Sequence, residues 1–173
     1  MLVYQGKTEQ SIYSATSGWI RKRENNLGKL AQIVFLFGHK DLLKEAQHID
    51  FVKKEYPAAQ IVGCSTSGEI AGEEVLNHNI VCTAVWFEHS ELKIAREYIG
   101  TMEDSYIVGA NLAGMLDSED LVHVMVLSDG LNINGSELTK GLNSKLGNRV
   151  PVTGGLAGDQ ANFSETVIVY NQP

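Results

Sequence analysis

Two stretches of this chain share one pattern, which constrains the fold more than any other feature of the sequence. Each has a short apolar run, an amphipathic helical segment, a second apolar run and a loop of small residues that ends on an acid. The pattern occupies 31–69 and returns 90 residues later at 121–159. Short apolar runs joined through a helix are typical of parallel strands. The sequence therefore predicts an α/β fold: a mixed β-sheet with flanking helices, built from two repeated β-α-β units.

The first repeat begins with the apolar run AQIVFLF at Ala31–Phe37. A helical spacing of apolar residues follows. Tyr56-Pro57 predicts the end of this helix, because the residue before a proline avoids the helical conformation. A short strand over Gln60–Val62 then leads into the loop Gly63–Glu69, with the sequence GCSTSGE.

The second repeat begins with the apolar run LVHVMVL at Leu121–Leu127. Asn134 predicts the N-cap of the helix that follows, and Gly147 predicts its end. The last apolar run, Val150–Val152, leads into the loop TGGLAGD at 153–159.

The segments outside the repeats give a provisional domain organisation. We expect residues 1–29 to form an N-terminal extension, with a helix over Ser11–Asn25, and residues 30–173 to form one α/β domain. A single strand, Thr166–Tyr170, follows the second loop, so we expect the second repeat to be truncated.

The segment between the two repeats has signals of its own. Ile80–Phe87 and Leu92–Tyr98 predict an antiparallel hairpin. Thr101–Leu116 predicts a helix, with Thr101 and Asp104 in a capping pattern.

The loops provide the candidate site. In an α/β sheet, ligands favour the crevice at the carboxyl ends of the strands, where we expect segments 38–40, 63–69, 128–130 and 154–159 to lie. Small residues let backbone N–H groups approach a ligand, hydroxyls donate and accept, and the acids suit an ammonium or amide. The candidate ligand-binding residues are Gly63, Cys64, Ser65, Thr66, Ser67, Gly68, Glu69, Asp129, Gly130, Gly154, Gly155, Gly158 and Asp159. The alternative is that the glycines serve only tight turns and close strand packing.

Known enzyme signatures do not fit these loops. A nucleophile elbow requires G-x-S-x-G, and Ser67 stands at the position of its second glycine. A phosphate-binding loop requires a lysine where this chain has Glu69. We therefore expect no enzyme and no catalytic residue. A hydrolase or transferase that uses Cys64 or Ser65 as its nucleophile is the alternative.

The histidines and cysteines indicate neither a metal site nor a disulfide framework. The five histidines lack the spacing of zinc ligands, and the two cysteines form no C-x-x-C motif. We expect no metal and no cofactor. A single histidine as an axial haem ligand is the alternative, and His39 lies closest to the expected crevice.

Charge and hydropathy exclude further classes. The net charge is −7, and an acidic chain without a basic stripe lacks the electrostatic signature of nucleic-acid binding. The longest apolar run, Ile80–Phe87, is far shorter than the roughly 20 residues of a membrane span, and no signal peptide is visible. We expect a cytoplasmic protein without a membrane partner.

Three of these segments together resemble the FIST domain family: Gly63–Ile70, Asp129-Gly130 and Gly154–Asp159. The resemblance covers about residues 30–173 and implies the N-terminal portion of a sensory protein from a bacterial signalling system. It implies a small ligand such as an amino acid, and a partner such as a histidine kinase, a diguanylate cyclase or a chemotaxis receptor. Some members are haem-binding nitric-oxide sensors that regulate a histidine kinase, which is the alternative function. Apolar faces left open by a truncated repeat would favour a homodimer.

Overall fold

The structure is a computed structural model that describes residues 6–116 and 119–172. The chain divides into two compact units, a larger one of Met1–Glu91 with Ala157–Pro173 and a smaller one of Leu92–Leu156. Both units combine strands with helices, and the predicted α/β fold with a mixed sheet is confirmed.

The larger unit contains a six-stranded sheet in the order β10-β4-β3-β7-β1-β2. β3 and β4 are parallel, and the other neighbours are antiparallel. A separate two-stranded hairpin, β5–β6, packs through Ala71 and Leu76 against Ile12 and Val81. The strands are β1 Gly6–Ser14, β2 Gly18–Arg23, β3 Ile33–Gly38, β4 Gln60–Ser65, β5 Glu69–Ala71, β6 Glu74–Leu76, β7 Ile80–Phe87 and β10 Ile168–Tyr170.

The helix predicted over Ser11–Asn25 is wrong, because this segment forms the β1–β2 hairpin. β1 pairs with β2 on one side and with β7 over eight residue pairs on the other. The 3.6-residue spacing of Ile12, Ala15 and Trp19 is coincidental, since Ala15 lies in the turn. β-branched and aromatic residues suit a half-buried strand, and the pairing offered by β7 outweighs a weak helical pattern.

Two helices join β3 to β4: α1, Lys40–Lys44, and α2, Ala46–Glu55. They bury Leu42, Leu43, Ile49 and Val52 in the core beneath the sheet. α2 ends at Glu55, as Tyr56-Pro57 predicts.

The smaller unit contains the strands and the helix of the second repeat. α3, Ser105–Leu116, and α4, Gly135–Leu146, pack against β8, Val124–Ser128, which is parallel to β9, Val152–Leu156. The capping pattern of Thr101 with Asp104 and the N-cap at Asn134 are both confirmed. The second strand predicted at Leu92–Tyr98 is wrong, since this segment has no regular structure. Its expected partner, β7, already has β3 and β1 as neighbours on its two edges.

The two repeats have matching strand geometry, with one correction to their alignment. Gly63 lies opposite Leu36 in the first pair, and Gly154 lies opposite Val126 in the second. A Cβ added at either glycine would stand 1.8 or 1.9 Å from the carbonyl oxygen of its partner. Leu36 and Val126 are 90 residues apart, whereas the glycines are 91 apart. The second repeat therefore has one extra residue between its two paired strands, so the offset is 91 at these glycines and a constant offset of 90 is wrong.

Candidate functional site

The first loop and the end of the second loop meet at the carboxyl ends of β3 and β4. Gly38 and Ser65 are the last residues of these strands and lie opposite each other. The amide of Thr66 donates to the carbonyl of Gly38 at 3.1 Å, and the amide of Gly158 donates to the carbonyl of Ser65 at 2.8 Å. Three segments far apart in sequence are thereby held at one edge of the sheet.

Gly158 is the point of closest approach between the two loops. A Cβ at this position would stand 2.6 Å from the Ser67 hydroxyl and 2.9 Å from the Ser67 amide nitrogen. A glycine is therefore required for the loops to touch, which supports a packing role for this residue beside any role in ligand binding.

Cys64 and Ser65 are not placed as nucleophiles. Both are buried, and Ser65 has no exposed surface. The Ser65 hydroxyl accepts a hydrogen bond of 3.0 Å from the amide of Val167. Burial raises the pKa of the Cys64 thiol to about 11, so the thiolate needed for nucleophilic attack is scarce at neutral pH. The geometry therefore does not favour the hydrolase or transferase alternative.

Asp159 already has a full set of donors. The ammonium of Lys40 lies 2.8 Å from Oδ1, while Oδ2 accepts from the amides of Ser164 and Glu165 and from the Ser164 hydroxyl at 2.9 to 3.0 Å. The Lys40 bond and these loop donors hold the pKa of Asp159 well below its ordinary value, and the same pair raises the pKa of Lys40. Asp159 thus organises the loop that leads to β10 and ties it to the start of α1.

Glu69 differs from Asp159 in having an unpartnered oxygen. The residue is 3% exposed, and its Oε1 accepts a 2.8 Å hydrogen bond from the Thr66 hydroxyl. Its Oε2 is buried with no hydrogen-bond partner. A buried carboxylate oxygen without a donor costs free energy and is uncommon in folded proteins. It is therefore the strongest structural indication of a ligand at this edge.

Residues outside the thirteen candidate ligand-binding residues complete the edge. His39 and His78 face each other with ring centroids 4.2 Å apart. The amide of His39 donates to the carbonyl of Asn79 at 3.0 Å, and Gln160 donates to the Asn77 side chain at 2.7 Å. His78 and Asn77 could not be selected from sequence, because they follow a short hairpin strand rather than a predicted sheet strand.

The other predicted site residues lie in the smaller unit. Asp129 follows β8 and accepts from the amides of Leu131 and Asn132 at 2.5 and 3.1 Å, so it folds its own turn, together with Gly130. Gly154 and Gly155 are within β9. The thirteen predicted residues are therefore divided between the two units, and their role in ligand binding stays a prediction.

The contacts of the five histidines assign none of them as a haem ligand. A metal-ligating histidine usually donates the N–H of its second ring nitrogen, whereas Nδ1 of His39 accepts from the amide of Asp41 at 3.3 Å. Nε2 of His123 lies 3.0 Å from the Thr153 hydroxyl, and the buried His48 ring packs against other aromatic rings. His78 packs on His39, and the side chain of His89 is 62% exposed. Among the described residues, no group of three or more acidic, histidine or cysteine side chains is arranged to hold a metal ion.

A second polar cluster lies where the β1–β2 hairpin meets α2. Glu9 is buried, accepts from the Tyr56 hydroxyl at 2.7 Å and from the amides of Asn25 and Leu27 at 3.1 Å, and lies 3.6 Å from Arg21. Burial opposes ionisation, but these partners outweigh it and lower the pKa of Glu9. The adjoining cleft of about 210 Å³ is lined by Glu9, Arg21, Asn26, Gly28, Glu55 and Tyr56. With every carboxylate oxygen of Glu9 partnered, the cluster anchors the hairpin.

Comparisons with known proteins identify the family of this chain. A family model described as the FIST N domain matches residues 32–173. The chain belongs to the FIST N domain family. The predicted resemblance to FIST proteins is thereby confirmed, and the matched residues include β3, β4 and both loops. FIST domains are sensory domains of signal transduction.

One curated relative and the solved structures add limited detail. The uncharacterized protein MJ1623 of Methanocaldococcus jannaschii is 24% identical over 166 residues, which cover 85% of this chain and 30% of that protein. The chain thus spans about 30% of the length of this relative. No solved structure matches the chain significantly. Within the part of the chain that the structure describes, the helices are too short or too polar to cross a membrane.

Proposed function

We propose that this FIST domain binds a small ligand at the carboxyl ends of β3 and β4 and passes its occupancy to a signalling partner. The observation that carries the proposal is the convergence of segments 38–40, 65–69, 77–79 and 158–165 on this edge. They bring together small residues, four hydroxyls, two imidazoles and the buried carboxylates of Glu69 and Asp159. A small number of convergent polar groups is what a small-molecule site uses to orient its ligand.

The same edge offers a route by which occupancy can reach the rest of the larger unit. The segment after Gly158 is held by Lys40 through Asp159 and continues into β10, which pairs with β4. A ligand that displaces Ser67 or Gly158 would change the position of this segment. It can shift the protein between two states only if it binds them with unequal affinity.

The ligand class and the partner follow from the family and are part of the proposal. We propose an amino acid or a similar small polar molecule as the ligand. We propose a histidine kinase, a diguanylate cyclase or a chemotaxis receptor as the partner, in a bacterial cytoplasm. No observation of the structure favours haem, so the nitric-oxide sensor stays an alternative prediction, which a Soret absorption band in the purified protein would support.

Thermal stabilisation tests the proposal directly. We expect at least one compound of an amino-acid panel to raise the Tm of the wild type, since a ligand at 100 times its Kd stabilises a protein by about 2.7 kcal/mol. Gly158→Ala should weaken this response, because the added methyl group separates the two loops. Gly114→Ala is the matched control, since a Cβ there meets no atom within 4 Å and the residue lies in α3 of the smaller unit. If no compound of the panel raises the Tm of the wild type or of Gly114→Ala, the result would favour an interaction module without a ligand.

A further inference from the structure

We propose that the ligand presents a cationic N–H donor, a primary ammonium or an amidinium group, and that Glu69 is the residue that binds it. This inference rests on the proposed function, because it names the ligand chemistry of the same site. The two acids at the edge of the larger unit have opposite hydrogen-bonding states. Asp159 is saturated, whereas Oε2 of Glu69 is buried and has no partner.

The charged side chains at this edge determine which sign of charge the ligand carries. The Lys40 ammonium, 13% exposed, contacts Asp159 at 2.8 Å and the Ser164 hydroxyl at 3.1 Å. It is therefore not available to neutralise Glu69 or to bind an anion. Glu69 has no ion-pair partner among the described residues, so its carboxylate offers only acceptors to a ligand and favours a cation over a phosphate or carboxylate group.

Thr66 orients the carboxylate and extends the acceptor surface. Its hydroxyl hydrogen is directed to Oε1 of Glu69, so both lone pairs of the hydroxyl oxygen remain for accepting. An ammonium group with three N–H donors would satisfy Oε2 and the Thr66 oxygen together, and an amidinium would meet them with two parallel donors. A hydroxyl ligand can donate one hydrogen bond and brings no charge.

The loop leaves an approach beside Gly68. Ser67 is exposed and Gly68 is half-buried. A Cβ added at Gly68 would have a single neighbour, the carbonyl oxygen of Leu76 at 3.6 Å. The side of the loop facing outward at this residue is therefore open, and a small cationic group can reach Glu69 if the short turn 66–68 moves.

The test is a titration of the ¹⁵N-labelled full chain with simple probes at fixed ionic strength and pH 7. The probes are ethylamine, ethanolamine, putrescine and acetamidine as donors, with ethanol, acetate and inorganic phosphate as neutral or anionic comparisons. We expect the amines or acetamidine to cause saturable shifts in the amide signals of 65–69 and Gly158. Glu69→Gln should weaken this binding at least tenfold, whereas Glu73→Gln should not, since Glu73 is an exposed acid of the same β5–β6 hairpin.

Tetramethylammonium gives a test that needs no variant. It has the charge of an ammonium but no N–H donor, so we expect it to bind at least tenfold more weakly than ethylamine. Equal binding of the two ions, or equal binding of ethylamine by the wild type and Glu69→Gln, would overturn the proposal. If only acetate, phosphate or ethanol shifts the amide signals of 65–69 and Gly158, the proposal of a cationic donor is overturned, while the proposal of a ligand site at this edge stands. If neither these probes nor the amino-acid panel shifts any of these signals, the proposed function fails as well.

Discussion

The parallel strand pairs of the two repeats share one local geometry and have different surroundings. In both pairs a glycine lies against the carbonyl of its partner, Gly63 against Leu36 and Gly154 against Val126. β3 and β4 are interior strands, with β7 and β10 as their outer neighbours. Within the described residues, β8 and β9 form a sheet of two strands. The repeated sequence pattern thus specifies a pair of strands, and added strands decide which pair becomes the centre of a sheet.

The loops that follow the two pairs differ in the same way. Each ends on an acid, Glu69 in the first and Asp159 in the second. Asp159 is satisfied by Lys40 and by three donors of its own loop, whereas Glu69 has one bonded and one bare oxygen. Equivalent acids in sequence therefore have a structural role in one loop and a candidate binding role in the other.

Alanine at the two strand glycines, Gly63 and Gly154, should cause the largest loss of stability, and the loss should differ between the two strand pairs. Gly63→Ala is expected to cost about 3 kcal/mol, because β4 has neighbours on both edges and cannot move away from Leu36. Gly154→Ala should cost about 1–2 kcal/mol, because its φ of +155° strains an added side chain, although β9 has a single neighbouring strand among the described residues and can shift more easily. Chemical denaturation measures both, with Gly155→Ala, which meets no atom within 4 Å, as the control. A larger loss for Gly154→Ala would contradict the difference between the pairs.

Alanine at the loop glycines should have a smaller effect, confined to the meeting point of the loops. Gly158→Ala is expected to cost about 1–2 kcal/mol, because the Ser67 hydroxyl can rotate away but its amide nitrogen at 2.9 Å cannot. Gly68→Ala should change stability by less than about 0.5 kcal/mol, since its one neighbour is at ordinary contact distance. Thermal unfolding distinguishes the two variants. Equal losses of stability in Gly158→Ala and Gly68→Ala would show that the loops do not meet at Gly158.

The two acids should respond oppositely to neutralisation. Asp159→Asn removes the partner of Lys40 and should lower the Tm at pH 7, while Glu69→Gln removes a buried charge with a bare oxygen and should leave the Tm unchanged or raise it. A residue that costs stability where it stands is typical of a binding site.

The pH dependence of stability sharpens this test. Because the Lys40 bond and the loop donors lower the pKa of Asp159 in the folded state, its contribution is present above the unfolded aspartate pKa of about 3.9. This contribution is lost as the pH falls through the lower folded value. The difference in Tm between pH 7 and pH 3 should therefore be smaller in Asp159→Asn than in the wild type. An unchanged difference would show that the Lys40–Asp159 pair does not form in solution.

Thiol labelling should show the smallest effect, namely none in the native state. Burial raises the pKa of Cys64 to about 11, and burial together with the charge of Glu9 raises that of Cys82 to about 12. At pH 8 both should react with a disulfide reagent only after unfolding. Rapid labelling of Cys64 alone would show that the first loop opens, and would restore the nucleophile alternative.

Much of the fold could be predicted from local pattern, and the failures have one cause. The strands of both repeats, the end of α2 before Pro57 and the cap at Asn134 follow from short-range signals that act within a few residues. Local pattern predicts a helix for the β1–β2 segment because the partner that decides its state, β7, lies about 70 residues away. The strand expected at Leu92–Tyr98 fails for a related reason, since β3 and β1 occupy both edges of β7, its expected partner.

The sequence by itself determined the β-α-β pattern, the family and the two loops of small residues that end on an acid. Only the tertiary structure decided what each acid does, because hydrogen-bond satisfaction depends on groups distant in sequence. Lys40 stands 119 positions before the aspartate that it neutralises. The carboxylate of Glu69 meets Thr66, three residues away, and no second donor reaches it. A buried carboxylate is satisfied where donors converge on it and keeps an unpartnered acceptor where they do not, and no local pattern records that difference.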